Sequence, residues 1–123
     1  MTARILVVED NPTNLDLMTY LLRALGYEVA TASDGLTGLD LARAVRYDAV
    51  LADILMPGID GYEFARRFKA DEDLVGIPLI AVTALAMSGD RERIVAAGFD
   101  DYVSKPIDPK AFAEHLETLL AGT

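Results

Sequence analysis

The chain reads as an α/β domain built on a parallel sheet, and two observations predict this. Strand-like apolar runs alternate with helical patterns five times, without a linker, repeat or low-complexity stretch between them. Four of the runs end on polar residues: Ile5-Leu6-Val7-Val8 before Glu9-Asp10, Ala49-Val50-Leu51-Ala52 before Asp53, Leu79-Ile80-Ala81-Val82 before Thr83, and Tyr102-Val103-Ser104 before Lys105-Pro106. Runs of this length without a polar face are strands covered on both sides. Reactive groups in such sheets gather at the carboxyl edge, so these polar residues are expected to converge there.

The elements follow in order. After the first strand, Asn11 is an N-cap with Pro12 at the first helical position, and Leu15, Met18, Leu22 and Leu25 recur at helical spacing until Gly26 stops the helix. Glu28-Val29-Ala30-Thr31 is short and partly polar, as an edge strand is. Ser33-Asp34-Gly35 opens a second helix through Leu36, Leu39 and Ala42, expected to end near Arg46-Tyr47. Following Asp53, the stretch Ile54-Leu55-Met56-Pro57-Gly58-Ile59-Asp60-Gly61 is a loop. Asp60 then caps a third helix bearing Tyr62, Phe64, Ala65 and Phe68. A fourth helix starts at Leu85 or Ser88 and runs to Gly98. A fifth has Asp108 as N-cap, Pro109 next, and Phe112, Leu116, Leu119 and Leu120 facing inward.

Composition removes several classes of function. A chain of 123 residues has room for one domain and no output domain. Its net charge of −9 argues against nucleic acid as a partner. Without cysteine there is neither a disulfide framework nor a thiolate metal site. No apolar stretch approaches the roughly 18 residues of a membrane span, and the N-terminus lacks a signal-peptide pattern; the expectation is a cytoplasmic protein that does not enter the membrane.

The polar strand ends carry the chemistry. Taken alone, Glu9-Asp10 fits helix capping as well as it fits a site. Asp53 at the end of a central strand changes this, because carboxylates gathered at short range repel one another unless a cation sits among them. Oxygen ligands without His or Cys select a hard cation, Mg²⁺ in preference to Ca²⁺, with Mn²⁺ a workable substitute. A carboxylate is also a nucleophile toward phosphorus and forms an aspartyl phosphate. Charge neutralisation by the metal and by the Lys105 ammonium assists such a transfer. Pro106 makes the Lys105–Pro106 bond a candidate cis peptide. Thr83, taken singly, reads as a strand-end hydroxyl bonded to backbone; beside a phosphoryl group it can donate a hydrogen bond. Tyr102, in isolation, is ordinary core filling. His115 falls off the apolar stripe of its helix and reads as a solvated residue, not as a phosphorelay histidine. Asp71-Glu72-Asp73 reads as a solvated connection, and Met18, Met56 and Met87 as packing residues.

With these residues assembled, nearly the whole chain resembles the receiver domain of bacterial two-component response regulators. The matching segments are Val7-Val8-Glu9-Asp10-Asn11, Asp53-Ile54-Leu55-Met56-Pro57-Gly58-Ile59-Asp60-Gly61, Ala81-Val82-Thr83-Ala84 and Tyr102-Val103-Ser104-Lys105-Pro106-Ile107. The resemblance implies that residues 1–123 form one receiver domain of flavodoxin-like (βα)5 fold, strand order 2-1-3-4-5. It implies Asp53 as phosphoacceptor. Asp10, Asp53 and the Leu55 backbone carbonyl become Mg²⁺ ligands, with Glu9 acting largely through water. Thr83 and Tyr102 become the switch pair and Lys105 the phosphate-binding cation. The implied donor is a histidine kinase or phosphotransferase. The signal leaves by protein–protein contact through the face of helix four, strand five and helix five, with Arg91, Glu92 and Val95 as contact residues. The protein is then a monomer or a phosphorylation-dependent dimer, and a switch that gains and loses its own phosphoryl group instead of a turnover enzyme.

The segment from Ala81 to Ile94 and the absence of an output domain match stand-alone receivers that regulate the cell cycle. A receiver excised from a hybrid kinase or transcription factor is the alternative; the initiating Met and the close after helix five favour a stand-alone protein. An aspartyl-phosphate hydrolase of the haloacid dehalogenase type fits poorly, since it needs D-x-D and the residue two beyond Asp10 is Pro12. A nucleotide- or flavin-binding module fits no better, because neither G-x-G nor G-K-[ST] occurs.

Overall fold

A computed structural model describes residues 2–84 and 88–121. The elements alternate strictly: β1 (Arg4–Val8), α1 (Pro12–Ala24), β2 (Glu28–Ala32), α2 (Gly35–Ala44), β3 (Ala49–Asp53), α3 (Gly61–Ala70), β4 (Leu79–Thr83), α4 (Ser88–Ala97), β5 (Asp101–Ser104) and α5 (Pro109–Ala121). The five strands form one parallel sheet in the order β2-β1-β3-β4-β5. This is the flavodoxin-like topology, with the order reversing between β1 and β3.

Both sheet faces are covered, which is why the central strands carry no polar face. Ile5, Val7, Ala49, Leu51, Ile80 and Val82 pack against Met18 and Leu22 of α1 and Phe112 and Leu116 of α5. The alternate residues Leu6, Val8, Val50, Ala52, Leu79 and Ala81 face Leu39 and Ala42 of α2, Phe64 and Phe68 of α3, and Ile94 of α4. Phe64 and Phe68, one helical turn apart, stack at 5.8 Å between ring centroids and are both fully buried. Truncating either to Ala would cost roughly 3–5 kcal/mol. The strands β2 and β5 form the sheet edges and keep partly exposed residues.

The helix starts follow the local chemistry. Carboxyl or amide oxygens of Asn11, Asp34 and Asp60 accept hydrogen bonds from the backbone N–H groups of Asn14, Thr37 and Glu63 at 3.1, 2.8 and 2.9 Å. Asp108 does the same for Lys110 and Ala111. Each bond satisfies a donor that the first helical turn leaves open. At the other end of α1, Gly26 takes φ +91°, which ends the helix at little steric cost.

The second helix differs from the sequence expectation in its end and in its inner face. The second helix ends at Ala44, not near Arg46-Tyr47: Val45 is extended, and Tyr47 leaves the helix to bury its ring in the core. Leu36, expected on the inner stripe, is 53% exposed. The buried face of α2 is made by Gly35, Gly38, Leu39 and Ala42 instead, with Gly38 so close to Val8 and Phe64 that a Cβ would lie 2.8 Å from Val8. The described part of α4 begins at Ser88, and the alternative start at Leu85, like Met87, lies outside the described residues. Met18 and Met56 are buried, as packing residues are.

Candidate functional site

Parallel pairing fixes where the strand ends fall. Val8 stands opposite Ala52, and Asp53 opposite Val82, so Glu9, Asp53 and Thr83 emerge in succession along one edge of the sheet. Thr83 pairs with Ser104, which places Lys105 just beyond, and the Lys105 N–H donates to the Thr83 carbonyl at 2.8 Å. The Lys105–Pro106 peptide bond is cis.

Lys105 reaches back across the edge. Its Nζ donates to Glu9 Oε1 at 2.9 Å and to Asp53 Oδ2 at 3.1 Å. Glu9 is fully buried and Asp53 is 5% exposed, so the three groups form a charged cluster largely out of water. The second Glu9 oxygen accepts the Asn11 backbone N–H at 3.3 Å, and Asp53 Oδ1 accepts that of Leu55 at 3.3 Å. Asp10 is exposed at the rim.

The electrostatics show a cluster with surplus negative charge. Burial, followed by the neighbouring Asp53 carboxylate, pushes the Glu9 carboxyl up from 4.5 to about 7, although Lys105 draws it the other way. Burial works against the Lys105 ammonium, but its hydrogen bonds to Glu9 and Asp53 outweigh burial and raise its pKa above the ordinary lysine value. One ammonium therefore serves two carboxylates with a third beside them.

Glu9, Asp10 and Asp53 each present a carboxylate oxygen within 4.8 Å of the others. An all-oxygen set of this size, undercompensated in charge and open on the Asp10 side, fits a hard divalent cation such as Mg²⁺.

A glycine not singled out by the sequence reading supports this geometry. Gly61, at the start of α3, donates its N–H to the Ile54 carbonyl at 2.8 Å. A Cβ there would meet the Asp53 carbonyl oxygen and Ile54 Cα at 2.5 Å. The backbone of α3 thus rests directly on the residues that carry the nucleophile candidate. The only signal in the sequence was the Asp60-Gly61 pair itself.

The remaining candidates fall around this cluster. Thr83 is fully buried at its strand end. Tyr102 is half-buried, packed against the core on the α3–α4 side, with the Arg91 guanidinium 5.4 Å from its ring centroid. Arg91, Glu92 and Val95 are exposed on α4. His115 is not a freely solvated residue: it is one-third exposed, and its Nε2 lies 2.9 Å from Asp101 Oδ2, with the carboxylate off the line of a hydrogen bond. The helix α5 packs that side of the ring toward β5, which the sequence pattern did not reveal. Asp71 pairs with Arg43 at 3.0 Å and takes no part in the acidic cluster; Glu72 and Asp73 are exposed.

A family model of the response regulator receiver domain matches residues 5–117. The chain belongs to the response-regulator receiver family. It is 45% identical over 120 residues to the polar-differentiation response regulator DivK of Brucella ovis, covering 98% of both chains. Among solved structures it resembles the receiver domain of a Pseudomonas aeruginosa sensor histidine kinase, at 39% identity and a TM-score of 0.91, covering 98% of this chain and 99% of that one. That receiver holds a magnesium ion coordinated in its active-site cleft. The chemotaxis protein CheY4 of Vibrio cholerae, at 26% identity, superposes with a TM-score of 0.91 over 96% of this chain and 98% of its own. Receivers are signalling switches controlled by phosphorylation, and this receiver carries the acidic cluster of Glu9, Asp10 and Asp53 at its sheet edge. Among the described residues no helix is long and apolar enough to cross a membrane.

Proposed function

We propose that this receiver accepts a phosphoryl group on Asp53 and passes the signal on by protein contact. The observation that carries the reading is the placement of Lys105 Nζ against both Glu9 and Asp53, a fixed cation beside a nearly buried carboxylate nucleophile. Asp10, Asp53 and the Leu55 carbonyl would hold Mg²⁺ directly, and Glu9 through water. The metal, when bound, neutralises charge on the phosphoryl oxygens.

The residues of the chain do the rest. An Asp53 carboxylate oxygen attacks phosphorus as the bond from phosphorus to the donor breaks. With a phosphohistidine of a kinase or phosphotransferase as donor, the ring nitrogen keeps the electron pair and takes up a proton. Lys105 exchanges its pairing with Asp53 for the transferred phosphoryl group, and Thr83 donates a hydrogen bond to it. Hydrolysis of the acyl phosphate resets the switch, so the protein is no turnover enzyme acting on a separate substrate.

Drawing the Thr83 hydroxyl toward the phosphoryl group vacates space into which the Tyr102 ring turns, remodelling the face of α4, β5 and α5. The downstream protein binds there, in the cytoplasm, to a receiver that is a monomer or dimerises on phosphorylation. We read residues 1–123 as one receiver domain. Uptake of one phosphoryl group from acetyl phosphate, dependent on Mg²⁺ and blocked by a chelator, tests the reading; no uptake at any metal concentration refutes it.

A further inference from the structure

We propose that Arg91 is a positioning residue for the switch aromatic: it holds the Tyr102 ring against α4 and opposes its inward turn. The proposal rests on the reading of Thr83 and Tyr102 as the switch pair.

Within α4, Ile94 and Ala97 make the buried stripe, and Arg91 stands one turn before Ile94 on the same side. A helix following β4 in this topology runs antiparallel to it, so its first turns lie near the carboxyl edge of the sheet. Arg91 therefore closes the buried stripe at the end nearest Thr83 and Tyr102. Its guanidinium carbon lies 5.4 Å from the Tyr102 centroid, within the range of a cation–π contact. Among the described residues no carboxylate pairs with Arg91, so the ring is what locates it.

The two positions of the ring are incompatible with one guanidinium. Arg91 is exposed at the end of the α4 stripe, whereas Thr83 is fully buried at the end of β4, and Tyr102 pairs with Ala81, two residues before it. A ring moving toward the space beside Thr83 leaves the guanidinium behind. Between an exposed guanidinium and a half-buried ring the contact favours the observed ring position by about two- to fivefold. Because linkage is reciprocal, the same factor weakens whatever stabilises the inward ring. In this account Arg91 sets the resting level of the switch.

The test is NMR of tyrosine-labelled, Mg²⁺-loaded protein, reading the Tyr102 rotamer populations with and without beryllofluoride, together with beryllofluoride titrations. We expect Arg91→Gln to raise the inward population about two- to fivefold before beryllofluoride is added and to tighten apparent beryllofluoride affinity by a similar factor. Arg91→Lys should retain part of the wild-type bias. In a Tyr102→Leu background, Arg91→Gln should leave the affinity unchanged. Unchanged Tyr102 populations in Arg91→Gln, with beryllofluoride still turning the ring, overturn the proposal alone. An equal affinity change in the Tyr102→Leu background assigns the effect to net charge and overturns it as well. A wild-type ring that ignores beryllofluoride removes the switch reading itself.

Discussion

Lys105 and Glu9, separated by 96 residues, meet at 2.9 Å across the carboxyl edge of the sheet. The contact joins the end of β5 to the end of β1 over the intervening Asp53, which the same ammonium touches at 3.1 Å. In the metal-free protein, Lys105 is thus the cation that permits two acids to lie together in a buried place. A divalent ion at Asp10 and Asp53 would share that task.

Removing the ammonium should separate its roles. Lys105→Ala leaves two buried carboxylates without a counter-charge and should lower metal-free stability by about 1–3 kcal/mol at neutral pH, a loss limited because Glu9 can take up a proton instead. Mg²⁺ should bind the variant at least as tightly, while phosphoryl uptake or the structural response to it falls sharply. Urea denaturation with chelator and a Mg²⁺ titration check both parts.

Asp10→Asn should act in the opposite sense. It removes a ligand at the exposed rim together with some repulsion, so metal-free stability should hold or rise slightly while Mg²⁺ affinity falls tenfold or more, an order-of-magnitude expectation for losing a carboxylate ligand. Equal affinities by titration would contradict its place in the metal site.

The pH dependence follows from Glu9. Its carboxyl titrates near 7 in the folded protein against 4.5 when unfolded, so between these values the folded state holds a proton that the unfolded chain has released. Metal-free stability should therefore decrease as pH rises from about 4.5 to about 7, by at most roughly 3 kcal/mol at 1.36 kcal/mol per pH decade. Asp34, Glu63 and Asp71 have pKa values lowered by hydrogen bonds, from the Thr37 backbone, Arg67 and the Asp73 backbone respectively. Their contribution is present above the unfolded carboxylate values and is lost only below about pH 4. Melting with chelator should thus be highest near pH 5, with Glu9→Gln flattening the fall toward pH 7.5. A wild-type midpoint that rises steadily from pH 5 to 7.5 would contradict the Glu9 assignment.

Gly61→Ala tests the support beneath the nucleophile. The added methyl meets backbone atoms of Asp53 and Ile54, which cannot give way as a flexible side chain would. Destabilisation of roughly 1–3 kcal/mol is expected, together with weaker Mg²⁺ binding as the Asp53–Leu55 backbone shifts. Gly76→Ala, at a glycine with open space around it, is the control and should change neither.

The central strands, the capped helix starts and the polar strand ends were legible because each is written locally, in an unbroken apolar run, an Asn11-Pro12 or Asp108-Pro109 start, or an acid at a run's end. The inner face of α2 was not, since it is lined by Gly35 and Gly38, and a pattern of large apolar side chains points to Leu36 instead. Nor could spacing reveal that Lys105 would touch Glu9 as closely as Asp53. The contacts of Arg91 with Tyr102 and of His115 with Asp101 depend on how α4 and α5 settle against β5. Packing of that kind leaves no period in the sequence.

The central claim is that Asp53 is the phosphoacceptor, and intact-mass spectrometry tests it most directly. With Mg²⁺ and acetyl phosphate the wild-type protein should gain the mass of one phosphoryl group, and Asp53→Asn should gain none although its Lys105 and Glu9 remain paired. A phosphoryl adduct on Asp53→Asn at the wild-type level would contradict the account.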